Sequence, residues 1–271
     1  MIKKIIHLAD IHVRTYKMHD EYKQSFTHTL ESIKDKVINY NREEVRIVIV
    51  GDIVHQKITI SNEQLLLCSW FIDELAKIAP VVIIAGNHDL LENNSDRMDS
   101  ITPIVAMCKE NDITYYKESK CYLDDNIVWC VYSIFEHNKI PNILSGRKEL
   151  GDDKKYVALY HAPINGVVTD IGYTINHENE LDIFDGCDMG MLGDIHKHQT
   201  FERDNKKIAY SSSLIQQNYG ETVNNHGFLM WDVENRDFEF CEVKNDTPFY
   251  QFKINDVDNE FDELNEVWVN K

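Results

Sequence analysis

Asp10-Ile11-His12, Gly51-Asp52-Ile53-Val54-His55, Gly86-Asn87-His88-Asp89, His161 and Gly193-Asp194-Ile195-His196-Lys197-His198 gather the carboxylate, amide and imidazole groups that bind metal cations. Mixed oxygen and nitrogen donors suit Mn, Fe or Zn better than Mg or Ca. Asp10 and His12 stand two apart, so an extended backbone points both side chains the same way; Asp194 and His196 repeat the spacing. Gly51, Gly86 and Gly193 fall where the backbone must turn sharply or approach an ion closely. Taken singly the motifs say little. D-x-H is often a cap or a surface polar group, a lone His more often hydrogen-bonds than ligates, and G-N-H-D reads as a turn. Five such clusters, each directly after an apolar run, point together to one metal centre.

The elements that must position these groups alternate strand and helix. Apolar runs at 2–9, 45–50, 80–85, 156–160 and 189–192 precede the five clusters and read as strands. In α/β sheets, ligands bind outside the carboxyl ends of the strands, which is where the clusters sit. Tyr22, Phe26, Leu30, Ile33, Val37 and Tyr40 recur at steps of three and four, predicting an amphipathic helix over 19–41. Ser61 with Gln64 three residues on reads as a capping box for a helix to Lys77, and 99–110 reads as helical. After about residue 112 the pattern turns to short strands, at 127–133, 156–160, 188–192, 207–210, 226–233 and 237–242. The order suits an α/β class with two β-sheets sandwiched between helices. A boundary is expected near Thr247-Pro248, and the acidic stretch beyond it is too short to fold alone.

Composition is that of an ordinary globular chain, with 43% hydrophobic and 27% charged residues among 271. A formal charge of −18 excludes a simple basic DNA-binding module, though not an enzyme that meets phosphate through metal ions, local basic loops or a partner's surface. Met1–His7 is no signal peptide, since the apolar run is broken at His7 and Asp10 and no small-residue cleavage site follows. Six scattered cysteines without a C-x-x-C pair read as reduced thiols of a cytoplasmic protein. Cys187 and Ser133 have no base beside them in sequence and read as structural, not nucleophilic.

D-x-H, G-D-x-x-H, G-N-H-D, a lone H and G-x-x-H in this order resemble the calcineurin-like metallophosphoesterase superfamily. Within it, Gly51-Asp52-Ile53-Val54-His55 and Tyr210-Ser211-Ser212-Ser213-Leu214 resemble the SbcD-type repair nucleases, the meiotic-recombination-eleven family. The likeness is strongest to its phage branch, the nuclease subunit of the T4-type recombination endonuclease, and covers about residues 1–245. It implies a four-layer α/β/β/α fold over 1–248, with 249–271 the start of a DNA-capping segment at which the given sequence stops. It implies a manganese-dependent DNA exonuclease/endonuclease using two divalent ions (magnesium the alternative), serving recombination, double-strand-break repair and replication in a host cytoplasm. By the same likeness Asp10, His12, Asp52 and His196 hold one ion, and Asp52, Asn87, His161 and Asp194 the other, Asp52 bridging. His88 protonates the leaving oxygen, Asp89 orients His88, and His55 shapes the nucleic-acid side. The expected partners are DNA, an SbcC-type ABC ATPase and a second copy of the chain, through helices 61–77 and 99–110 with Leu66, Leu67 and Trp70.

One departure stands out: the family has His where this chain has Asp194. A register shift to His196 with His198 would restore two histidines, and spacing alone cannot choose; Gly193 at the strand end favours Asp194. A carboxylate there leans the second site towards manganese or magnesium over zinc. Lys197 and Arg14 are the foremost candidate DNA contacts, with Arg203, Lys206 and Lys207 behind them; each reads equally well as solvated surface. Two rival readings stay open: an enzyme acting on a small phosphodiester or nucleotide, and a non-catalytic assembly subunit with a residual metal site. His55 and the 210–214 run favour DNA, and an intact His88 argues against a non-catalytic subunit.

Overall fold

Val45–Val50 is buried along its whole length, and its two faces serve two different cores. Ile47 and Ile49 face one apolar cluster, Val48 and Val50 another, as a period of two requires. A strand apolar on both faces belongs in a sheet covered on both sides. The computed structural model describes residues 1–94, 96–136 and 139–250; the expected segment 249–271 lies outside them save its first two residues.

In chain order the elements are β1 (Lys4–Leu8), α1 (His19–Val37), β2 (Val45–Val50), α2 (Asn62–Ile78), β3 (Val81–Ile84), α3 (Ile101–Met107) and β4 (Ile113–Tyr115). There follow β5 (Cys121–Asp124), β6 (Ile127–Tyr132), α4 (Ile143–Leu150), β7 (Lys155–His161) and β8 (Met189–Gly193). The last are β9 (Gln199–Arg203), β10 (Lys206–Tyr210), β11 (Gly227–Asp232) and β12 (Asp237–Glu242). They form two six-stranded sheets, β12-β11-β1-β2-β3-β4 and β5-β6-β7-β8-β10-β9. β1, β2, β3 and β4 run parallel to one another, as do β6, β7, β8 and β10, while β11 is antiparallel to β1 and the hairpins β11–β12, β5–β6 and β9–β10 pair antiparallel.

Three apolar layers hold the fold together. Phe26 and Ile33 of α1, Phe71, Ile72 and Leu75 of α2 and Ile101 and Ile104 of α3 cover one face of the first sheet. Between the sheets lie Ile5, Val50, Ile84, Trp129, Leu159, Met191 and Trp231. Ile143 of α4 packs with Tyr156, Phe184 and Leu192 on the outer face of the second sheet. The arrangement is helix, sheet, sheet, helix, as expected. Two polar struts also join the sheets. Arg46 makes two 2.8 Å bonds to the Asp124 carboxylate, and His7 of β1 donates Nε2–H to the Leu192 carbonyl at 3.1 Å. Burial pushes the His7 ring down to about 3, so it stays neutral.

The helix starting at Ser61 has the predicted capping box: Ser61 Oγ accepts from Gln64 N at 3.2 Å, and Gln64 Oε1 accepts from Ser61 N at 3.4 Å. Two predicted helices are shorter than their apolar periodicity, ending at Val37 and Met107. Leu66 of α2 is exposed, whereas Leu67 and Trp70 pack partly against the core.

Candidate metal centre

The parallel strands of both sheets end at one edge of the sandwich, and all five polar clusters meet there. The loops after β1 and β2 are zipped together: Asp10 N donates to the Gly51 carbonyl at 3.2 Å, and His12 N to the Asp52 carbonyl at 2.9 Å. Asp10, His12, Asp52 and Asp194 have φ of 52°, 51°, 54° and 90°, a region uncommon for non-glycine residues and tolerated best by Asp, Asn and His. Four such residues in one cluster mark a backbone bent to aim side chains inward, at about 1–3 kcal/mol each. Gly86 and Gly193 provide room. A Cβ on either would overlap the His161 ring, and on Gly86 also the Asp52 carboxylate.

Asp52 stands in the middle. Its Oδ2 lies 3.4 Å from His12 Nε2, and its Oδ1 3.3 Å from His161 Nε2. On the first side, His12 Nε2 and His196 Nε2 are 2.9 Å apart, and Asp10 Oδ1 is 3.9 Å from each. On the second, Asn87 Oδ1 lies 3.3 Å and Asp194 Oδ1 4.0 Å from His161 Nε2. Asp10 also groups with Asp52 and His161, so it stands between the halves, where the sequence placed it in the first alone.

The donors fit divalent cations. Two ligands each about 2.0–2.2 Å from one ion lie no more than about 4.4 Å apart, and every separation just given is within that. Proton positions agree. His161 Nδ1 lies 2.7 Å from the Val50 carbonyl, which can only accept, so Nδ1 carries the hydrogen. In the neutral ring Nε2 then turns a lone pair towards the oxygens of Asp52 and Asn87, an arrangement that calls for a cation. Without one the ring takes a proton: burial opposes this, but the Asp52 carboxylate outweighs it and raises His161 well above its ordinary value. Burial pushes Asp10 up to about 7 in the same cluster, as expected where carboxylates crowd together.

His88 flanks this set of donors on the His12 side. Its ring is edge-on to His12, with centroids 4.8 Å apart, and stacked on His55 at 5.3 Å. Nδ1 donates to the His55 carbonyl at 2.6 Å, and only its backbone N–H touches Asp52, at 2.8 Å from Oδ1. One expectation needs correcting here. Asp89 does not orient the His88 ring. Fully buried, it accepts backbone N–H bonds from Gly86, Asp52, Ile53 and Val54 at 2.7–3.2 Å. It pins the loops after β2 and β3 to each other, and the His55 carbonyl orients the ring instead.

Glu221 was not anticipated. Its Oε1 lies 2.8 Å from His196 Nδ1, and its Oε2 accepts from Gln217 N at 2.7 Å. The His196 ring thus donates Nδ1–H and turns a free Nε2 towards Asp10 and His12, the carboxylate–histidine arrangement that orients metal ligands.

The sequence model of the calcineurin-like phosphoesterase family matches residues 3–198. The chain belongs to that family. Among curated proteins, this phosphoesterase is 40% identical over 261 residues to an uncharacterized protein of Acanthamoeba polyphaga mimivirus. The match takes in 94% of the chain but 19% of that relative, so the chain spans about a fifth of its length. Among solved structures it resembles GAP50, the anchor in the inner membrane complex of Plasmodium, with a TM-score of 0.51, 12% identity and 89% of each chain covered. At that identity the likeness shows the fold alone. The Pseudomonas putida nuclease MPE aligns over 84% of this chain and 83% of its own at 14% identity, with a TM-score of 0.36 too low to carry an argument. Phosphoesterases of this fold bind divalent metals, and the clustered donors supply the site for them. Among the described residues no helix is long and apolar enough to cross a membrane.

Geometry also separates the two registers of the last motif. His198 of this phosphoesterase donates Nδ1–H to the Tyr210 carbonyl at 2.8 Å and stacks on Phe240 at 4.9 Å, in a packing role. Asp194 faces His161, and its backbone N–H donates to Asp10. Asp194→Ala is therefore expected to empty one metal site and abolish turnover, with Asp194→His restoring much of both, while His198→Ala keeps both metals. Metal content by elemental analysis checks this; full content in Asp194→Ala would reverse the assignment. Glu221→Gln is expected to weaken metal binding by about 10–100-fold, read by manganese titration calorimetry; unchanged affinity would leave Glu221 a loop support only.

Proposed function

We propose that this phosphoesterase hydrolyses phosphodiester bonds in DNA with two divalent ions, manganese foremost, as the nuclease subunit of a recombination and repair complex with an SMC-like, SbcC-type ABC ATPase. The supporting observation is the His55–His88 pair, two rings stacked at 5.3 Å on the His12 side of the centre, with the His88 ring edge-on to His12 at 4.8 Å. One ion is held by Asp10, His12, Asp52 and His196, the other by Asp52, Asn87, His161 and Asp194. Bound there, the ions supply Lewis-acid stabilisation of phosphoryl charge and a nucleophile at neutral pH. His88 supplies the proton. Because the His55 carbonyl holds a hydrogen on Nδ1, the proton given to the leaving oxygen comes from Nε2. Arg14 and Lys197, each two residues or fewer from a motif histidine, meet the phosphates in this reading: among the described residues they form no ion pair, nor does Lys206, whereas Arg203 pairs with Asp185 at 3.1 Å and Lys207 with Asp237 at 2.5 Å. With a charge of −18 the chain alone meets DNA weakly, and the ATPase adds the missing positive surface. A second copy docks through α2 and α3 in this reading.

A second reading has its own observation. A cleft of about 600 Å³ opens beside Asn87, His161 and Asp194, with Glu92, Glu136 and Glu178 in its walls. That volume suits one small molecule; in its walls Glu136 pairs with Lys139, also part of the lining, and Glu92 with Lys57. The deciding experiment compares manganese-dependent hydrolysis of linear single- and double-stranded DNA with that of a small aryl phosphodiester, with and without the ATPase. Faster turnover of DNA is expected. Hydrolysis of the aryl diester with DNA left intact would overturn the nuclease reading.

A further inference from the structure

The thirteen tyrosines of the chain divide unevenly. Only Tyr16, Tyr173, Tyr219 and Tyr250 are exposed, by 80%, 63%, 59% and 58%. Scattered exposed aromatics need no explanation, but Tyr16, Tyr219 and Tyr173 belong to loops that contact one another beside the metal centre. Tyr16 follows Arg14 by two residues and His12 by four. The Arg14 guanidinium reaches across to the Gln217 carbonyl at 2.9 Å, two residues before Tyr219. The Tyr219 ring in turn meets Phe249, next to Tyr250, with centroids 5.0 Å apart. On the other side of Tyr219, Ile171 Cγ2 comes within 3.9 Å of the Cβ position of Gly220. Ile171 belongs to a turn over 169–172, closed by a 2.9 Å bond from Gly172 N to the Thr169 carbonyl, and Tyr173 follows it. Just before that turn Val168 N donates to Gln199 Oε1 at 2.8 Å, and Gln199 Nε2 donates to the Lys197 carbonyl at 3.4 Å. The rim thus joins Tyr16, Arg14, Tyr219, Tyr173 and Lys197, and it borders the His12–His196 half of the centre through Glu221.

We propose that this rim is a track for an unpaired DNA strand, whose bases stack on Tyr16, Tyr219 and Tyr173 while Arg14 and Lys197 contact its phosphates. The proposal rests on the nuclease reading above and names its substrate class. Bases stack on exposed aromatic side chains whatever their sequence, and cations beside the rings follow the backbone. In a duplex the base faces are already stacked on one another, so the tyrosines have nothing to grip. A duplex also brings more charge per unit length towards a chain of net charge −18. A single strand can follow a narrow track holding two cations where a duplex meets the whole acidic surface.

The test uses the full 271-residue chain and the double variants Tyr16→Ala/Tyr219→Ala and Tyr16→Phe/Tyr219→Phe. Both positions are exposed and outside the ligand set, so folding is spared. Binding of a fluorescent oligothymidine and of a duplex of equal length is measured by anisotropy in EDTA, where nothing is cleaved. The alanine pair is expected to bind oligothymidine about tenfold or more weakly, with duplex binding unchanged and the phenylalanine pair close to the parent. Small aryl diester turnover in manganese should be the same in all three proteins. Unchanged oligothymidine binding, or equal loss on duplex and single strand, overturns the track. If the parent hydrolyses the aryl diester but no DNA, the nuclease reading has failed; if it cleaves DNA and the alanine pair is indistinguishable from it, only the track has.

Discussion

Asp52→Asn is expected to lower affinity at both metal sites together, by about 100-fold or more, and to abolish turnover. The two oxygens of this one carboxylate face the two halves of the centre, 3.4 Å from His12 and 3.3 Å from His161. An amide keeps one oxygen but loses the charge that offsets the repulsion between two cations. Even residues that only support a metal ligand are worth about 10–100-fold, so a shared ligand should exceed that. Burial opposes ionisation of Asp52, yet the surrounding imidazoles, His161 foremost, hold its carboxyl well below the usual range. It is therefore an anion ready to bind across the working pH range. Calorimetric titration with manganese reads the result; loss of one site with the other intact would mean that Asp10, which also lies between the halves, is the bridge.

His88→Ala is expected to cut turnover by about 10²–10⁴-fold, the usual contribution of a general acid, with metal stoichiometry still at two. What His88 offers Asp52 is its backbone N–H, and alanine keeps it. The nitrogens of His12, His55 and His88 do lie within 4.8 Å of one another, a grouping that could take an ion of its own. Metal content measured beside turnover separates the two roles. A variant that loses metal makes His88 a ligand, and one with parental turnover leaves it without a part in the chemistry.

Much of the candidate centre was legible because each cluster of donor side chains follows an apolar run that reads as a buried strand. VRIVIV before Gly51 and PVVIIA before Gly86 declare where their strands end, and the capping box at Ser61 declares where α2 begins. What escaped has physical reasons. β4 has three residues, and α4 carries Gly146 in its middle, so neither shows a period. Glu221 is 25 residues from His196, in a loop with no pattern to announce it. Asp89 adjoins His88 in sequence, but its carboxylate turns into the protein to collect four backbone N–H groups. Asp194 and His198 could not be separated by spacing; the Tyr210 carbonyl and the Phe240 ring, both distant in sequence, take His198 away from the centre.

The most direct test is anomalous scattering at the manganese edge from crystals soaked in manganese. The account predicts two full peaks flanking Asp52, one beside His12 and His196 and the other beside His161 and Asn87, both weakened in Asp52→Asn. A single peak in the parent protein, or two that persist undiminished in Asp52→Asn, would contradict it.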